Sequence, residues 1–342
     1  MRAPGFWWLP EPGPLARLLQ PLGVLYGAAT LARMRRPGLA IGVPVICVGN
    51  FVAGGAGKTP TALALCALLA GRGETPFILS RGYGGRLAGP VEVDPAGHGA
   101  ADVGDEPLLM ARSARTIVAR DRPAGAALAR SLGASVIVMD DGLQNPSLAK
   151  SLRLAVVDGA GGAGNGLCLP AGPLRAPLAG QFGLTDAVIL IGEGVAGEAV
   201  AAAARRRDLP VLTARLEPPA PVRAALRGRR VVAASGIGRP EKFSATLRDA
   251  GAEIVAERVF ADHHAYSAGD VTALLAEARA GDCVIATTEK DATKLAPLWP
   301  ESEAARLLVV PVALSFAQPE RIARLLGSVA DARSGTAAAP QP

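Results

Sequence analysis

The segment Gly49–Pro60, with the sequence GNFVAGGAGKTP, contains the residue types of a phosphate-binding loop. The tripeptide Gly57–Thr59 matches the end of the Walker A pattern GxxxxGK(S/T), although Val52 stands where that pattern has its first glycine. Glycines let backbone N–H groups converge on a phosphate, Lys58 would reach the β- and γ-phosphates, and the Thr59 hydroxyl would bind Mg²⁺. The alternative is a glycine-rich turn with a solvated lysine. We favour a nucleotide-phosphate site that comprises Val52, Ala53, Gly54, Gly55, Ala56, Gly57, Lys58 and Thr59.

Two adjacent carboxylates follow an apolar stretch in Val136–Asn145, with the sequence VIVMDDGLQN. An apolar strand that ends in acidic residues is typical of the Walker B arrangement, in which a carboxylate holds Mg²⁺ directly or through water. Asp140 and Asp141 would point in different directions, so one can serve the metal while the other holds Lys58 or the substrate. A helix N-cap or a turn is the alternative role. We predict a metal site formed by Thr59, Asp140 and Asp141.

Two further segments contain groups that could move a proton. Phe260–Tyr266, FADHHAY, holds two of the three histidines of the chain beside Asp262. An imidazole assisted by a carboxylate can remove the proton of a hydroxyl group as a general base. Zinc binding is the rival chemistry, but no second Cys or His cluster in the sequence completes a site. Gly104–Leu108, GDEPL, contains Asp105 and Glu106, but by itself it is typical of a helix-capping sequence.

Two glycine-rich loops each carry one arginine: Ser80–Gly85, SRGYGG, contains Arg81, and Gly164–Arg175, GNGLCLPAGPLR, ends in Arg175. Arginine suits phosphate because its planar fork makes bidentate contacts. Each loop could equally be structural. The segment TTEKDATKL superficially resembles the guanine-binding motif NKxD, but Glu289 stands in place of the Asn, so we do not predict guanine specificity.

Short apolar stretches of strand length alternate along the chain with helical stretches of about a dozen residues. This alternation predicts an α/β fold similar to P-loop NTPases, with a mostly parallel sheet and helices on both faces. The phosphate loop and the acidic pair each follow a strand, where ligand sites of such sheets lie. A proline-rich break at Glu217–Pro221 precedes a smaller C-terminal α/β unit. The predicted domains are an N-terminal membrane-associating helical segment 1–40, a P-loop core 41–216, a C-terminal α/β domain 222–326 and a disordered tail 327–342.

The amino-acid composition limits which classes of molecule this protein is expected to bind. The 342 residues are 50% hydrophobic and 19% charged, which is enough for a sizeable core. The net charge of +6 suits anionic partners, but aromatic residues are only 4% and do not interleave with basic patches, so we expect no nucleic acid partner. Four scattered cysteines without a CxxC pair indicate a reducing compartment. No segment indicates an obligate protein partner.

The N-terminal segment has the features of a helix at a membrane surface. Trp7 and Trp8 precede the apolar run Leu15–Leu31, and an arginine-rich stretch at 33–36 follows it. Pro21 and polar residues interrupt the run, so its uncharged part is shorter than the ~20 residues that a span needs. Tryptophans at headgroup depth, an apolar helix face and arginines facing anionic lipid favour interfacial attachment. The alternative is an ordinary helix packed on the core.

Taken together and in order, seven motifs resemble the tetraacyldisaccharide 4′-kinase family, the lipid A 4′-kinases of Gram-negative bacteria. They span residues 43–295, and seven motifs in one order are specific although each is weak alone. The missing first Walker glycine is shared with the GN…GGxGKTP form of that family. The motifs are VGNFVAGGAGKTP, ILSRGYGG, GDEPLL, VIVMDDGLQN, GNGLCLPAGPLR, FADHHAY and TTEKDATKL.

The resemblance implies transfer of the γ-phosphate of ATP to the 4′-hydroxyl of tetraacyldisaccharide 1-phosphate, a lipid A precursor, to form lipid IVA. It also implies Mg²⁺ and a protein at the cytoplasmic face of the bacterial inner membrane, either peripheral or N-terminally anchored. In this family an Asp and a His of the two proton-moving segments form a catalytic pair, which implies Asp105 and His263. His263 would accept the hydroxyl proton, directly or with Asp105. The side chains implied for the substrate site are Arg81, Tyr83, Gln144 and Arg175.

This sequence departs from the usual family pattern in two motifs. Leu143 and Asn145 replace Phe and His of DDGFQH, and Ala176 replaces Glu of GPLRE. These changes bear on individual side-chain roles and not on the reaction. The alternative function is a P-loop GTPase or ATPase for metal or cofactor insertion, which predicts hydrolysis without a lipid acceptor and usually a Cys or His cluster. A non-enzymatic membrane-associated nucleotide-binding adaptor would not depend on Asp105 or His263.

Overall fold

The computed structural model describes residues 4–238, 240–261 and 264–336 of the chain. These residues form two compact units. The larger unit contains residues 4–215 and 314–336, and the smaller unit contains Leu216–Ala313. The domain limits expected from the sequence stay predictions.

Strands and helices alternate through most of the described residues. The strands are β1 (Val45–Asn50), β2 (Pro76–Ser80), β3 (Val91–Glu92), β4 (Thr116–Val118), β5 (Val136–Asp140), β6 (Leu152–Asp158), β7 (Ala187–Ile191), β8 (Val211–Glu217), β9 (Arg230–Ser235), β10 (Glu253–Val259), β11 (Val284–Thr288), β12 (Leu307–Val310) and β13 (Ala313–Phe316). The α-helices are α1 (Pro14–Met34), α2 (Lys58–Ala70), α3 (Ala100–Val103), α4 (Asp105–Ala111), α5 (Arg122–Ser131), α6 (Leu178–Phe182), α7 (Val195–Arg205), α8 (Ala220–Leu226), α9 (Pro240–Asp249), α10 (Ala268–Ala280), α11 (Glu289–Leu295) and α12 (Pro319–Thr336). Short 3-10 helices lie at Gly5–Trp8, Ala296–Leu298 and Glu301–Arg306.

The larger sheet runs in the order β13-β8-β7-β6-β1-β5-β2-β4-β3. Strand β1 lies between β5 and β6 and pairs parallel with both, whereas β3 pairs antiparallel with β4. All residues of β1 are buried, as expected for a parallel strand that is covered on both faces. The carboxyl ends of β1 and β5 therefore meet at one edge of the sheet. The predicted α/β fold with a mostly parallel sheet is confirmed.

Helix α2 starts directly after the phosphate loop and packs against β1, β2 and β5. Its buried side chains include Leu65 and Leu69, which lie one above the other at i and i+4. Burial of each leucine contributes about 1.5–3 kcal/mol relative to exposure. Packing of this helix therefore fixes where the phosphate loop must end.

The smaller unit contains a second sheet in the order β10-β9-β11-β12, in which every pair is parallel. Successive residues of β9, Val231 and Val232, belong to two different apolar clusters, as expected when both faces of a sheet are covered. Helix α10 begins with a capping box formed by Ser267 and Asp270. The predicted smaller C-terminal α/β unit is confirmed.

Helix α1 has one packed face and one exposed face. It is long and apolar enough to cross a membrane by length and composition, and it includes Pro21. The helix continues through Pro21, which costs a backbone hydrogen bond but does not end it. Leu18 and Leu25 are 76% and 69% exposed. The buried positions are mostly small residues: Ala16, Gly23, Gly27, Thr30 and Met34.

The C-terminal region contains helix α12, which continues to Thr336. The disordered tail expected from the sequence at 327–342 stays a prediction. Ile322, Leu326 and Val329 are buried at the spacing of one helical face, and this apolar face explains why the chain stays helical. Residues 337–342 lie outside the described part of the chain.

Candidate active site

The loop between β1 and α2 closes on the carbonyl of Gly54. The Asn50 side-chain amide donates to this oxygen at 2.9 Å, and Lys58 Nζ donates to it at 3.3 Å. Gly54 and Gly57 have φ values of 113° and 88°, which only glycine adopts without strain. The two interior glycines are thus required by the backbone, and Lys58 is held over the loop that they shape.

The acidic pair lies beside this loop because β5 pairs in register with β1, with Val48 opposite Asp140. The next residue, Asp141, leaves the strand with φ of 48°. Its carboxylate accepts hydrogen bonds from Arg175 at 2.9 Å and 3.1 Å and lies 3.8 Å from Lys58 Nζ. The structure therefore brings together three charged groups from three separate motifs.

The two carboxylates differ in ionisation. Burial raises the pKa of Asp140 from 3.8 to about 7; the charge of Lys58 opposes this shift and that of Glu106 adds to it. Burial also acts on Asp141, but the positive charges of Lys58 and Arg175 outweigh it and lower the pKa of this carboxyl. Asp141 is therefore ionised at neutral pH, whereas Asp140 is close to its midpoint.

Arg175 is held in place by the end of the 164–175 loop and by a chain of buried amides. Its Nε donates to the Val52 carbonyl at 3.1 Å, and one terminal nitrogen donates to Gln144 Oε1 at 3.2 Å. Gln144 in turn donates to the Asn50 carbonyl at 2.8 Å and to Gln181 at 2.9 Å. Gln144 is buried and accepts a hydrogen bond from Arg175, so it helps to hold this guanidinium, and its predicted contact with the substrate stays a prediction.

Thr59, Asp140 and Asp141 supply the hard oxygen donors that Mg²⁺ prefers. Asp140 Oδ1 is buried without a hydrogen-bond partner, which suits a group that meets a cation. Within residues 4–238, 240–261 and 264–336, no three His, Cys, Asp or Glu side chains converge into a complete metal cage. Mg²⁺ usually takes one or two carboxylates and completes its octahedron with water and phosphate oxygens, so the residues fit this ion.

The loop after β2 and the start of α4 lie against each other. A Cβ on Gly104, whose φ is 92°, would come within 2.4 Å of the Tyr83 carbonyl oxygen. Tyr83 is 77% exposed, and Arg81 is exposed as well. Asp105 is the first residue of α4, and this helix packs against α2. The structure thus places Arg81, Tyr83 and Asp105 on neighbouring segments of the larger unit.

His263 and Asp262 lie outside the described residues, so the pairing of Asp105 with His263 stays a prediction. The next residue, His264, is described in the smaller unit. Its ring lies 3.2 Å from the Asp270 carboxylate and stacks on Phe260 with centroids 4.9 Å apart. His264 therefore has a packed position in the smaller unit.

The residues that depart from the usual family pattern are accommodated by packing. Leu143 is buried, and a Cβ on Gly49 would come within 2.5 Å of its side chain. Asn145 accepts a hydrogen bond from the Ser147 amide at 2.8 Å and so stabilises the turn after β5. Ala176 is fully buried in the apolar cluster around Phe51 and Phe182.

Three residues near the site had no site role assigned from the sequence. Arg122 is buried, and its guanidinium donates to the backbone carbonyls of Ala119 at 2.7 Å and Asp140 at 3.4 Å. Burial lowers its pKa, and no local signal distinguishes it from a surface arginine at a helix start. Asn50 holds the loop, and its position directly before the glycines was a usable signal. Glu106 acts on the pKa of Asp140, and it stands next to Asp105 in the same motif.

The family model described as tetraacyldisaccharide-1-P 4′-kinase matches residues 15–330. Two relatives with the name tetraacyldisaccharide 4′-kinase illustrate the similarity. The protein from Methylobacterium nodulans is 60% identical over 320 residues, which cover 94% of this chain and 93% of the relative. The protein from Rhodopseudomonas palustris strain BisB18 is 58% identical over 295 residues, which cover 86% of each.

A solved structure is similar over almost the whole chain. The crystal structure of LpxK from Aquifex aeolicus in complex with ATP matches with a TM-score of 0.68 and 24% identity. The match covers 92% of this chain and 99% of that chain. It confirms the fold.

Proposed function

Because the chain belongs to the tetraacyldisaccharide-1-P 4′-kinase family, we propose that it transfers the γ-phosphate of ATP to the 4′-hydroxyl of tetraacyldisaccharide 1-phosphate. The product is lipid IVA, an intermediate of lipid A biosynthesis. The observation that carries the proposal is the convergence of Lys58, Asp141 and Arg175 beside the glycine loop. Family membership favours this reaction over a GTPase or ATPase for metal insertion.

The phosphate chain of ATP lies along residues 52–59 in this proposal. Backbone N–H groups of the loop and the start of α2 receive the phosphate oxygens, and Lys58 contacts the β- and γ-phosphates. The Arg175 guanidinium directs some of its N–H groups to the phosphates, while its hydrogen bonds to Asp141 keep the guanidinium oriented. Thr59 with Asp140 or Asp141 would hold Mg²⁺, which when bound neutralises charge on the phosphate oxygens.

The transfer also requires loss of a proton from the acceptor. The 4′-oxygen forms a bond to the γ-phosphorus while the bond between this phosphorus and the β–γ bridging oxygen breaks, and ADP leaves. We assign removal of the hydroxyl proton to His263, acting directly or with Asp105. Such proton transfer contributes about 10²–10⁴-fold to rate. Arg81 and Tyr83 are assigned to the acceptor because they are exposed beside Asp105.

The decisive experiment uses the purified protein with Mg²⁺, ATP labelled in the γ-phosphate and the disaccharide 1-phosphate in detergent. The wild type should label the lipid. Lys58→Ala should lower the rate by about 10³-fold or more, because it removes the cation at the transferred phosphate. Arg206→Ala, which removes an exposed cation at the end of α7, is the matched control and should stay active. Absence of labelled lipid with the wild type in every detergent would refute the proposed reaction.

The acceptor carries acyl chains, and α1 offers an apolar surface for the membrane that contains them. Leu18, Leu22 and Leu25 are exposed on this helix, and exposed arginines follow it at 33–36. Trp7 and Trp8 are half-buried against the protein, so the leucines provide the free apolar face. This pattern supports attachment to a membrane surface through leucine insertion and anionic lipid. The cytoplasmic face of the bacterial inner membrane is the location that family membership favours.

Flotation with vesicles that contain phosphatidylglycerol tests this attachment. The double variant L18E/L25E should bind at least about tenfold more weakly, because two leucines no longer leave water. Val195→Glu is the control, since Val195 is 90% exposed on a different helix. Equal flotation of the double variant and the wild type would exclude α1 as the attachment surface.

A further inference from the structure

The 164–175 loop, which follows β6, is bonded to the phosphate loop at one end. The Ala53 amide donates to the Pro173 carbonyl at 2.7 Å, and the Arg175 amide donates to the Phe51 carbonyl at 2.9 Å. Leu174 forms an antiparallel bridge with Val52. The start of the phosphate loop and the end of the 164–175 loop are therefore paired by backbone hydrogen bonds, as in a short antiparallel β-ladder.

The opposite end of the 164–175 loop holds the N-terminal segment. The Asn165 amide donates to the Trp7 carbonyl at 2.8 Å, and its side-chain Nδ2 lies 3.4 Å from the Phe6 carbonyl. In return, Trp7 Nε1 donates to the Pro170 carbonyl at 3.0 Å. Residues more than 150 positions apart in sequence are thus linked by three hydrogen bonds.

Helix α1 packs on the same loop through its glycines. A Cβ on Gly23 would come within 2.6 Å of the Cys168 carbonyl oxygen. A Cβ on Gly27 would come within 2.7 Å of Cys168 Sγ and 3.1 Å of Pro177 Cδ. Neither position has room for a larger side chain without movement of the loop or the helix.

Asn165 lies at the centre of this arrangement and is buried. Its Nδ2 donates to the Ala171 carbonyl at 3.0 Å, and its Oδ1 accepts from the Leu167 amide at 3.1 Å. A Cβ on Gly172 would lie 2.0 Å from Oδ1, so the loop is built closely around this amide. Loss of these bonds would leave buried backbone groups without partners.

We propose that Asn165 is a positioning residue that couples helix α1 to the phosphate loop and Arg175. Movement of the packed face of α1 displaces the 164–175 loop, because Gly23 and Gly27 lie in close contact with Cys168 of that loop. That loop carries the partners of Phe51 and Ala53, so its displacement changes the phosphate loop. This inference depends on the proposed function only in one respect, which is the identity of the nucleotide that binds the phosphate loop.

Binding of Mg·ADP, measured by calorimetry without lipid acceptor, tests the coupling. Asn165→Ala should weaken binding by about tenfold to a hundredfold, because small displacements of a phosphate-binding group are costly. Asn165→Asp keeps the acceptor for Leu167 but loses the Nδ2 donors, so we expect an intermediate loss. Gly27→Val, a change within α1, should also weaken binding.

The matched control in α1 is Gln20→Ala, which alters an exposed position of the same helix. It should bind Mg·ADP within about twofold of the wild type, since exposed substitutions have small effects. Unchanged affinity in both folded variants, Asn165→Ala and Gly27→Val, would overturn the coupling. Because ADP binding requires no lipid, this outcome is distinct from a failure of the wild type to phosphorylate lipid.

Hydrogen exchange on the wild-type protein decides the question even if a variant does not fold. Saturation with Mg·ADP should slow exchange at the amides of Ala53 and Asn165 and across residues 4–13. Protection that stops at the phosphate loop would show that the N-terminal segment is independent of the nucleotide, and would refute the proposal.

Discussion

Two aspartates that follow strands show how the same position in a sheet serves different purposes. Asp141, after β5 in the larger unit, accepts a bidentate pair of hydrogen bonds from Arg175. Asp291, in the first turn of α11 after β11 in the smaller unit, is fully buried. Its Oδ2 accepts from the Gly236 amide at 3.0 Å and from the Thr288 hydroxyl at 2.7 Å.

Asp141 and Asp291 differ in the groups to which their carboxylates bind. Lys58 and Arg175 beside Asp141 are cationic side chains that keep some solvent exposure, so they can turn toward phosphate. Asp291 Oδ2 accepts from a backbone amide and from a hydroxyl in its own helix start, so this oxygen holds the loop after β9 in place. A strand end therefore becomes a reactive site when its acid orients movable cations, and a structural one when its acid binds backbone.

The largest expected effect comes from Asp141→Asn, which keeps the shape but removes the charge that orients Lys58 and Arg175. The rate of lipid phosphorylation should fall by about 10²–10³-fold, as for loss of a preorganised electrostatic contact. The midpoint of thermal unfolding should fall only modestly: the lowered pKa means that the ionised carboxylate stabilises the fold, but Asp141 is partly exposed and bonds to side chains that keep some contact with solvent. Paired measurements of transfer and thermal unfolding check this. A large loss of stability with normal transfer would show that Asp141 has a structural role, and Asp141 and Asp291 would then not differ in function.

Asp291→Ala should have the opposite profile. It leaves the Gly236 amide and the Thr288 hydroxyl without their partner, which should lower the free energy of unfolding by about 1–3 kcal/mol. Asp249→Ala, which removes an exposed carboxylate of the same unit, is the control for urea denaturation. If Asp291→Ala were as stable as the control and yet lost transfer, the smaller unit would hold a second reactive acid.

The smallest effect concerns pH. Since the pKa of Asp140 is raised to about 7, its carboxylate is protonated below that pH and becomes available to Mg²⁺ above it. Mg²⁺-dependent binding of ADP should therefore strengthen as pH rises from about 6 to 8, by at most about tenfold per unit for one proton. Calorimetry at a series of pH values checks this, and Asp140→Asn should give a flatter profile. An equal slope in the variant would assign the proton to another group.

The same shift affects stability with a definite sign. A carboxyl whose folded pKa is raised stabilises the fold below its unfolded pKa of about 3.9, and this contribution is lost as pH rises through the folded pKa of about 7. Metal-free wild type should thus lose stability between these values. Asp140→Asn should lose less, as measured by urea denaturation over the same range.

Regular elements were predictable where their pattern was local. The glycine loop, the strands that precede it and the acidic pair, and the alternation of strands with helices all follow from short stretches of sequence. Strands β8 and β13 were missed, because β8 follows no motif and β13 is short and lies at the sheet edge. Helix α12 was not predicted, because its apolar face has meaning only against the core that it covers.

Site residues divide in the same way. Lys58 and Asp141 were found because spacing and residue type identify a phosphate loop and an acidic strand end. Gln144 was placed at the substrate because the family resemblance gives it a position in a motif, but not its burial. No sequence pattern identified Arg122 as a site residue, since a buried arginine and a surface arginine look alike in sequence.

The sequence by itself determined the family, the phosphate loop and the alternation of strands with helices, because these depend on glycine conformations, hydrophobic periodicity and motif order. Only the tertiary structure decided that Arg175 binds Asp141, and that Asn165 bonds the N-terminal segment to the 164–175 loop. Those contacts link positions far apart along the chain. They arise from how the strands pair and the loops pack, so no local pattern encodes them.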